Sequence, residues 1–136
     1  MSETISSSHA AAPVAAYSQA VSAGDLVFVS GQIPLNPKTG ELVLDSISAA
    51  TTQVMENITA ETTQVMQNIL AVLTAADMDF SNVVKCSIFM KDMNDYAAIN
   101  EVYAKSFGEN PPAREAVQVS VLPKNVNVEI SVIAVK

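Results

Sequence analysis

One cysteine and one histidine are all that this chain has of the two side chains most used for metal binding and nucleophilic catalysis. Cys86 alone closes no internal disulfide and builds no thiolate metal site, so the sequence reads as that of a protein from a reducing compartment. His9 lies in an Ala/Ser-rich leader and is expected to face solvent, which leaves no histidine for a catalytic triad or a zinc site. Basic residues are scarce too. Seven Lys and Arg against fourteen Asp and Glu give a formal net charge of -7, which disfavours any nucleic-acid partner gripped by phosphate neutralisation. No apolar run approaches the length of a membrane span, so no membrane association is expected. The leader MSETISSSHAAAPVAA has no basic residue and no long apolar stretch, so it reads as neither a secretory nor a mitochondrial signal, and a cytoplasmic location is expected.

What the chain does have is core material. Of 136 residues, 49% are hydrophobic and 15% charged, the balance of one compact domain spanning residues 1–136. Tyr17 to Val21 and Leu26 to Ile33 read as two short strands joined by the Gly24-Asp25 turn, hence antiparallel. The second carries Ser30-Gly31, where a missing side chain permits either a bulge or the close approach of a ligand. Pro34 to Gly40 is a run of turn formers, and Glu41 to Leu44 is a candidate for a short strand. Val83 to Met90 reads as a buried strand, with Cys86 a small core residue rather than a nucleophile, because no histidine is at hand to activate it. Helix spacing from about Tyr96 to Phe107, with Ile99, Val102 and Tyr103 on one face, predicts a second helix after a cap in Lys91–Asp95.

Between Ser46 and Ala76 the sequence repeats itself. Thr51-Thr52-Gln53-Val54-Met55-Glu56-Asn57-Ile58 recurs eleven residues later as Thr62-Thr63-Gln64-Val65-Met66-Gln67-Asn68-Ile69, a tandem duplication of 51–61 as 62–72. Eleven residues are close to three helical turns, so Ile47, Val54, Ile58, Val65, Ile69 and Leu73 stay on one stripe. A helix of some thirty residues would run about 45 Å against roughly 25 Å for a strand of seven or eight residues. The duplication is therefore expected to lengthen the first helix past the sheet, with a looped-out copy as the alternative.

Pro111 to Ile130 holds two alternating segments and two charges in strand-like surroundings. Arg114, Ala116, Gln118 and Ser120 alternate with Val117, Val119 and Val121, and Glu129 alternates with Val128 and Ile130. A guanidinium and a carboxylate on the polar faces of two successive strands suggest either a small anion-binding site or a surface ion pair. A tight hairpin would leave the two charges four positions, or about 13 Å, apart. Either the connection skips an intervening strand or the two meet across a subunit boundary. Strand pair, helix, strand, helix, strand, strand is the order of an α+β two-layer sandwich. Several strands are apolar on both faces, and with two helices to cover one of them, self-association is expected to cover the other.

Over nearly its whole length the chain resembles the RidA/YjgF/UK114 family of enamine/imine deaminases. The matching pieces are Tyr17-Ser18-Gln19-Ala20-Val21, Ser30-Gly31-Gln32-Ile33-Pro34, Asn36-Pro37-Lys38-Thr39-Gly40, Val83-Val84-Lys85 with Phe89, Asn94-Asp95-Tyr96, Pro112-Ala113-Arg114, Leu122-Pro123-Lys124 and Val128-Glu129-Ile130. The resemblance implies a chorismate-mutase-like fold, a mixed sheet backed by two helices, assembled as a homotrimer around a central sheet barrel with sites at subunit interfaces. It implies hydrolysis of 2-aminoacrylate and related 2-imino acids to 2-keto acids and ammonia, without metal or cofactor. By the same resemblance Arg114 would hold the substrate carboxylate and Glu129 would activate water. Tyr17, Ser30 and Phe89 would shape the pocket, with Gly31 and Ala116 offering backbone hydrogen bonds.

Two features depart from the family pattern. Ser-Cys commonly follows the arginine, where this chain has Glu115-Ala116. If that cysteine contributes through its backbone, Ala116 is harmless; if through its thiol, activity or substrate range shifts. By strand alternation Glu115 should point away from Arg114. The duplication is the second departure. Alternative readings are a non-catalytic small-carboxylate binder or interaction protein of the same fold and, disfavoured by the charge, a ribonuclease or translation inhibitor.

Overall fold

The structure, a computed structural model, describes residues 2–43 and 54–136. In chain order its elements are β1 (Ser2–Ile5), β2 (Ala20–Ala23), β3 (Leu26–Gln32), α1 (Val54–Ala75), β4 (Val83–Met90), α2 (Tyr96–Ala104), β5 (Ala113–Gln118) and β6 (Val128–Val135). They form one six-stranded sheet in the order β1-β2-β3-β6-β4-β5. Every pairing is antiparallel except β4 with β5, which is parallel. That exception follows from connectivity: α2 carries the chain from β4 back to the start of β5, the kind of crossover that a parallel neighbour requires.

Both helices pack on one face of this mixed sheet, an α+β two-layer sandwich. Ile58, Val65, Ile69, Val72 and Leu73 of α1 and Ala98, Ile99 and Val102 of α2 meet Val27, Val29, Ile88, Val128, Ile130 and Val132 of the sheet in one core. Alternation decides which strand residues enter it. In β6, Val128, Ile130, Val132 and Ala134 are buried beneath the helices while Glu129, Ser131, Ile133 and Val135 occupy the other face, half-buried. A smaller cluster of Ala11, Ile33, Leu35, Leu122 and Val126, joined by Phe89 and Val119, closes one end.

α1 is continuous through Val54–Ala75, 22 residues that include the tail of the first copy and all of the second through Val72. The stripe holds where it is described: Ile58, Val65, Ile69 and Leu73 are all buried, whereas the expected helical turns from Ser46 to Gln53 lie outside the described residues. Asn68 ties α1 to the site end of the sheet by donating from Nδ2 to the carbonyls of Ile33 (3.1 Å) and Leu35 (2.9 Å).

Three expectations need correction. The first strand, expected at Tyr17 to Val21, is preceded by Ser2–Ile5 in the leader, with Ser2 opposite Ala23 and Ile5 opposite Ala20, and itself spans Ala20–Ala23; the polar, short run of Ser2–Ile5 lacks the hydrophobic alternation that marks a strand. Of the short strand expected at Glu41 to Leu44, the described residues Glu41 to Val43 form none, a lone bridge joining Leu35 to Leu42, and Leu44 lies outside the described residues. Arg114 and Glu129 do not share a polar face. β4 lies between β5 and β6, the first of the two alternatives that the hairpin geometry left open. Arg114 pairs with Cys86 on the helix-covered face, whereas Glu129 pairs with Phe89 on the open one. Val117 accordingly turns to the open face and stays 40% exposed, as do Leu26 at 39% and Phe28 at 43%. Among the described residues no helix is long and apolar enough to cross a membrane.

Candidate active site

The β3–β6 ladder breaks where the sequence reads Ser30-Gly31. Val29 pairs with Val132 and Gln32 with Ile130, so two residues of β3 oppose the single Ser131 of β6. This bulge takes Gly31 out of the ladder and bends β3 at a sheet position next to Glu129. The Glu129 side chain then lies across the Gly31 backbone. A Cβ on Gly31 would collide with the Glu129 carboxylate, its Cδ only 2.8 Å away. Glycine is required here for close approach, since its φ is not in the left-handed region.

Around this contact lies a cavity of about 310 Å³ lined by Val14, Ala15, Tyr17, Ser30, Gly31, Ile33, Pro123 and Glu129. The leader supplies one wall, held in place by the buried Gln19. Its Nε2 donates to the Ala11 carbonyl at 2.8 Å and to the Ser7 carbonyl at 3.1 Å, and its Oε1 accepts from the Ser7 amide. Tyr17 accepts the Val14 amide at 3.3 Å, which leaves its phenol proton free to donate. Ser30 spends its hydroxyl proton on the Ser18 carbonyl at 2.6 Å, leaving lone pairs toward the cavity. Pro123 reaches the rim through a tight turn in which Lys124 and Asn125 are both left-handed, with φ of 54° and 55°.

Glu129 is half-buried, and burial alone pushes its carboxyl pKa up. It has no hydrogen-bond partner among the described residues. A half-buried carboxylate with no counter-charge among the described residues, beside a cavity, is suited to accepting a proton from water or substrate.

Arg114 stands elsewhere. On β5 it turns to the helix layer, where α2 presents Tyr96, Asn100 and Tyr103 at intervals of four and three residues. Nη1 donates to Asn100 Oδ1 at 2.7 Å and Nη2 to the Tyr96 hydroxyl. The guanidinium carbon lies 4.9 Å from the Tyr103 ring centroid and 5.5 Å from that of Tyr96. A second cavity, of about 400 Å³, opens here between Asn100, Tyr103, Phe107, Pro111, Pro112 and Arg114. Ala116, two residues on, faces the same way and packs against the main core.

The structure thus joins Tyr17, Ser30, Gly31 and Glu129 in one cavity and sets Phe89 beside Glu129 on the open face. In a single chain it leaves Arg114 and Ala116 apart from them. Glu115 points to the open face, as alternation predicts, where Lys85 Nζ meets it at 2.6 Å and Ser87 donates to it at 2.7 Å. Cys86 is fully buried, and its thiol pKa is raised first by that burial, which suits a core residue. Sequence reading missed Val14, Ile33, Pro123 and Asn100. Only Asn100 left a signal, as the polar member of the Tyr96, Asn100, Tyr103 row.

Comparison with known proteins decides the family. The Endoribonuclease L-PSP family model matches residues 7–60 and again 56–136, the two matches meeting inside the repeated segment. The chain belongs to the RidA/YjgF/UK114 family. A RutC family protein of Pyrococcus horikoshii is 48% identical over 136 residues, covering 100% of this chain and 99% of its own. A 2-iminobutanoate/2-iminopropanoate deaminase of Rattus norvegicus is 40% identical over 134 residues, 98% of this chain and 90% of its own. Among solved structures, a Rid-family protein of unknown function from Yersinia pestis superposes with a TM-score of 0.88 at 38% identity, covering 100% of both chains. The fold of this RidA-family chain is therefore that of its relatives, and the cavity at Glu129 lies on a family scaffold.

Proposed function

We propose that this protein hydrolyses 2-aminoacrylate and related 2-imino acids to 2-keto acids and ammonia. The observation that carries this reading is the Glu129 carboxylate, half-buried and without a hydrogen-bond partner among the described residues, lying over Gly31 in a cavity sized for a small molecule. Full-length likeness to proteins named 2-iminobutanoate/2-iminopropanoate deaminase, at 40% identity in rat and 39% in Escherichia coli, supports the substrate class.

In the proposed reaction Glu129 accepts a proton from water as the water oxygen bonds to the imine carbon. The C=N π pair moves to nitrogen, which takes the proton back from Glu129 to give a carbinolamine. Glu129 then accepts the hydroxyl proton as the carbonyl forms and passes it to nitrogen as the C–N bond breaks, so ammonia leaves and Glu129 is again a carboxylate. An electrophilic carbon needs little beyond orientation and this one proton carrier. Arg114 holds the substrate carboxylate through its remaining N–H groups.

A single chain places Arg114 and Glu129 on opposite faces of the sheet. The proposed assembly is a homotrimer in which the open sheet faces pack together and the edge strand β5 of one copy lies against its neighbour, so that Arg114 reaches the neighbour's Glu129 around that edge. Exposed Leu26, Phe28 and Val117 on that face favour such packing.

The test generates 2-aminoacrylate in place from serine with a serine/threonine dehydratase and follows pyruvate. Added protein should accelerate pyruvate release, and Arg114→Ala should reduce that acceleration at least ~100-fold without unfolding. An unaltered rate with the native protein overturns the proposal.

A further inference from the structure

Arg114 is a half-buried cation with no carboxylate partner among the described residues, and both groups that hold it are neutral. Asn100 Oδ1 accepts from Nη1 and the Tyr96 hydroxyl accepts from Nη2, with the ring of Tyr103 4.9 Å from the guanidinium carbon. All three come from one side of α2, a rigid element whose Ala98, Ile99 and Val102 are locked in the core. Two of the five guanidinium N–H groups are thereby engaged and three remain.

An arginine that served only to hold β5 to α2 would be better matched by an acid, because a charge-assisted pair is stronger than a hydrogen bond to a neutral amide. An acid would also neutralise the guanidinium and compete with any anion arriving at it. An amide fixes the rotation of the fork and leaves the charge intact. Tyr96 and Tyr103 add ring faces, which favour a cation without cancelling it.

We propose that Asn100 is a positioning residue for carboxylate binding: it sets the orientation of the Arg114 guanidinium and, by being neutral, keeps its full charge available to the substrate. This rests on the reading of Arg114 as the carboxylate holder and names the group that makes it one. Tyr96 has a lesser share, since it is 37% exposed and its hydroxyl can exchange its role with water.

The sharpest variant is Asn100→Asp, which keeps size and the Oδ1 acceptor that Arg114 uses, adds a negative charge and replaces the amide NH2 with a second acceptor. Pyruvate binding is measured by calorimetry alongside turnover of 2-aminoacrylate, for native protein, Asn100→Asp and Asn100→Ala, with melting temperature as the control on folding. Asn100→Asp should melt at or above the native temperature and yet bind pyruvate about tenfold or more weakly, the effect falling on KM rather than kcat. Asn100→Ala should also weaken binding, by roughly threefold to tenfold, because the guanidinium loses its stop.

Native affinity for pyruvate in Asn100→Asp overturns the inference, as does a native protein that does not bind pyruvate. If native protein binds pyruvate without accelerating turnover while Asn100→Asp binds it weakly, the deaminase reading fails and the positioning role stands. Should Asn100→Asp not fold, Asn100→Ala decides: unchanged pyruvate affinity there rejects the proposal, and weakened affinity upholds it.

Discussion

Glu129 and Gly31 act as one unit, because the carboxylate occupies the space where any other residue at position 31 would place its Cβ. Gly31→Ala should therefore fold, displace the carboxylate and lose most of the activity. Glu129→Gln keeps the shape and removes the proton acceptor, and a loss of about 10²- to 10⁴-fold in kcat is expected. The pH dependence follows from the sign of the shift. Burial raises the Glu129 pKa, and the charged form is the base, so activity should fall on acidification at a pH above the ordinary carboxylate value of about 4.3. Stability runs the other way: the folded state binds this proton more tightly than the unfolded chain, so Glu129 lowers stability as pH rises through the raised value. Glu129→Gln should thus melt no lower than native protein at pH 8, and a lower melting temperature would argue for a structural carboxylate. At this scale the sequence was readable where sterics force a residue type, as at Gly31. The faces of Arg114 and Glu129 were not, because β4 enters between their strands, and neither was the part of Pro123, which depends on the element that lies across from it.

At the scale of elements, the eleven-residue period preserves burial along α1. Ile58 and Ile69, Glu61 and Val72, and Thr62 and Leu73 are buried in pairs, while Thr63 and Thr74 are both exposed. Two deletions that restore a single copy should then behave differently. Removing 51–61 leaves Asn68 and its hold on Ile33 and Leu35 in place. Its main loss is the contact of Glu61 with Asn127 Nδ2 at 2.8 Å, and a cost of about 1 kcal/mol is expected. Removing 62–72 brings Asn57 into the place of Asn68, but it also puts Glu61 into the fully buried place of Val72. A carboxylate there without Asn127 should destabilise by about 3 kcal/mol or more. Denaturant unfolding of the two variants separates the outcomes, and equal stabilities would contradict this reading of the register. Helices and the central strands were legible because their periodicities are strong. The β1 strand was not, since Ser2–Ile5 has no apolar alternation and owes its place to pairing with β2. The β5–β6 relation was hidden for another reason. Sequence order says nothing of β4 entering between them, although the hairpin geometry already argued against direct pairing.

Across the whole molecule, two properties of the sheet belong together. Its open face carries Leu26, Phe28 and Val117, and its two charged site residues look out from opposite faces. The proposed trimer would cover the first and unite the second. Phe28→Asp should give a monomer by light scattering and remove activity while leaving the helix-covered core intact; an active monomer would refute the shared site. The most direct measurement mixes two inactive variants. Arg114→Ala and Glu129→Gln, each silent alone, are unfolded together, refolded as mixed assemblies and assayed for 2-aminoacrylate hydrolysis. If each site draws its arginine from one copy and its carboxylate from the next, about a quarter of the sites should regain both groups and activity should return to that level. Mixed assemblies as inactive as their parents, from protein shown to have exchanged subunits, would contradict the proposed site.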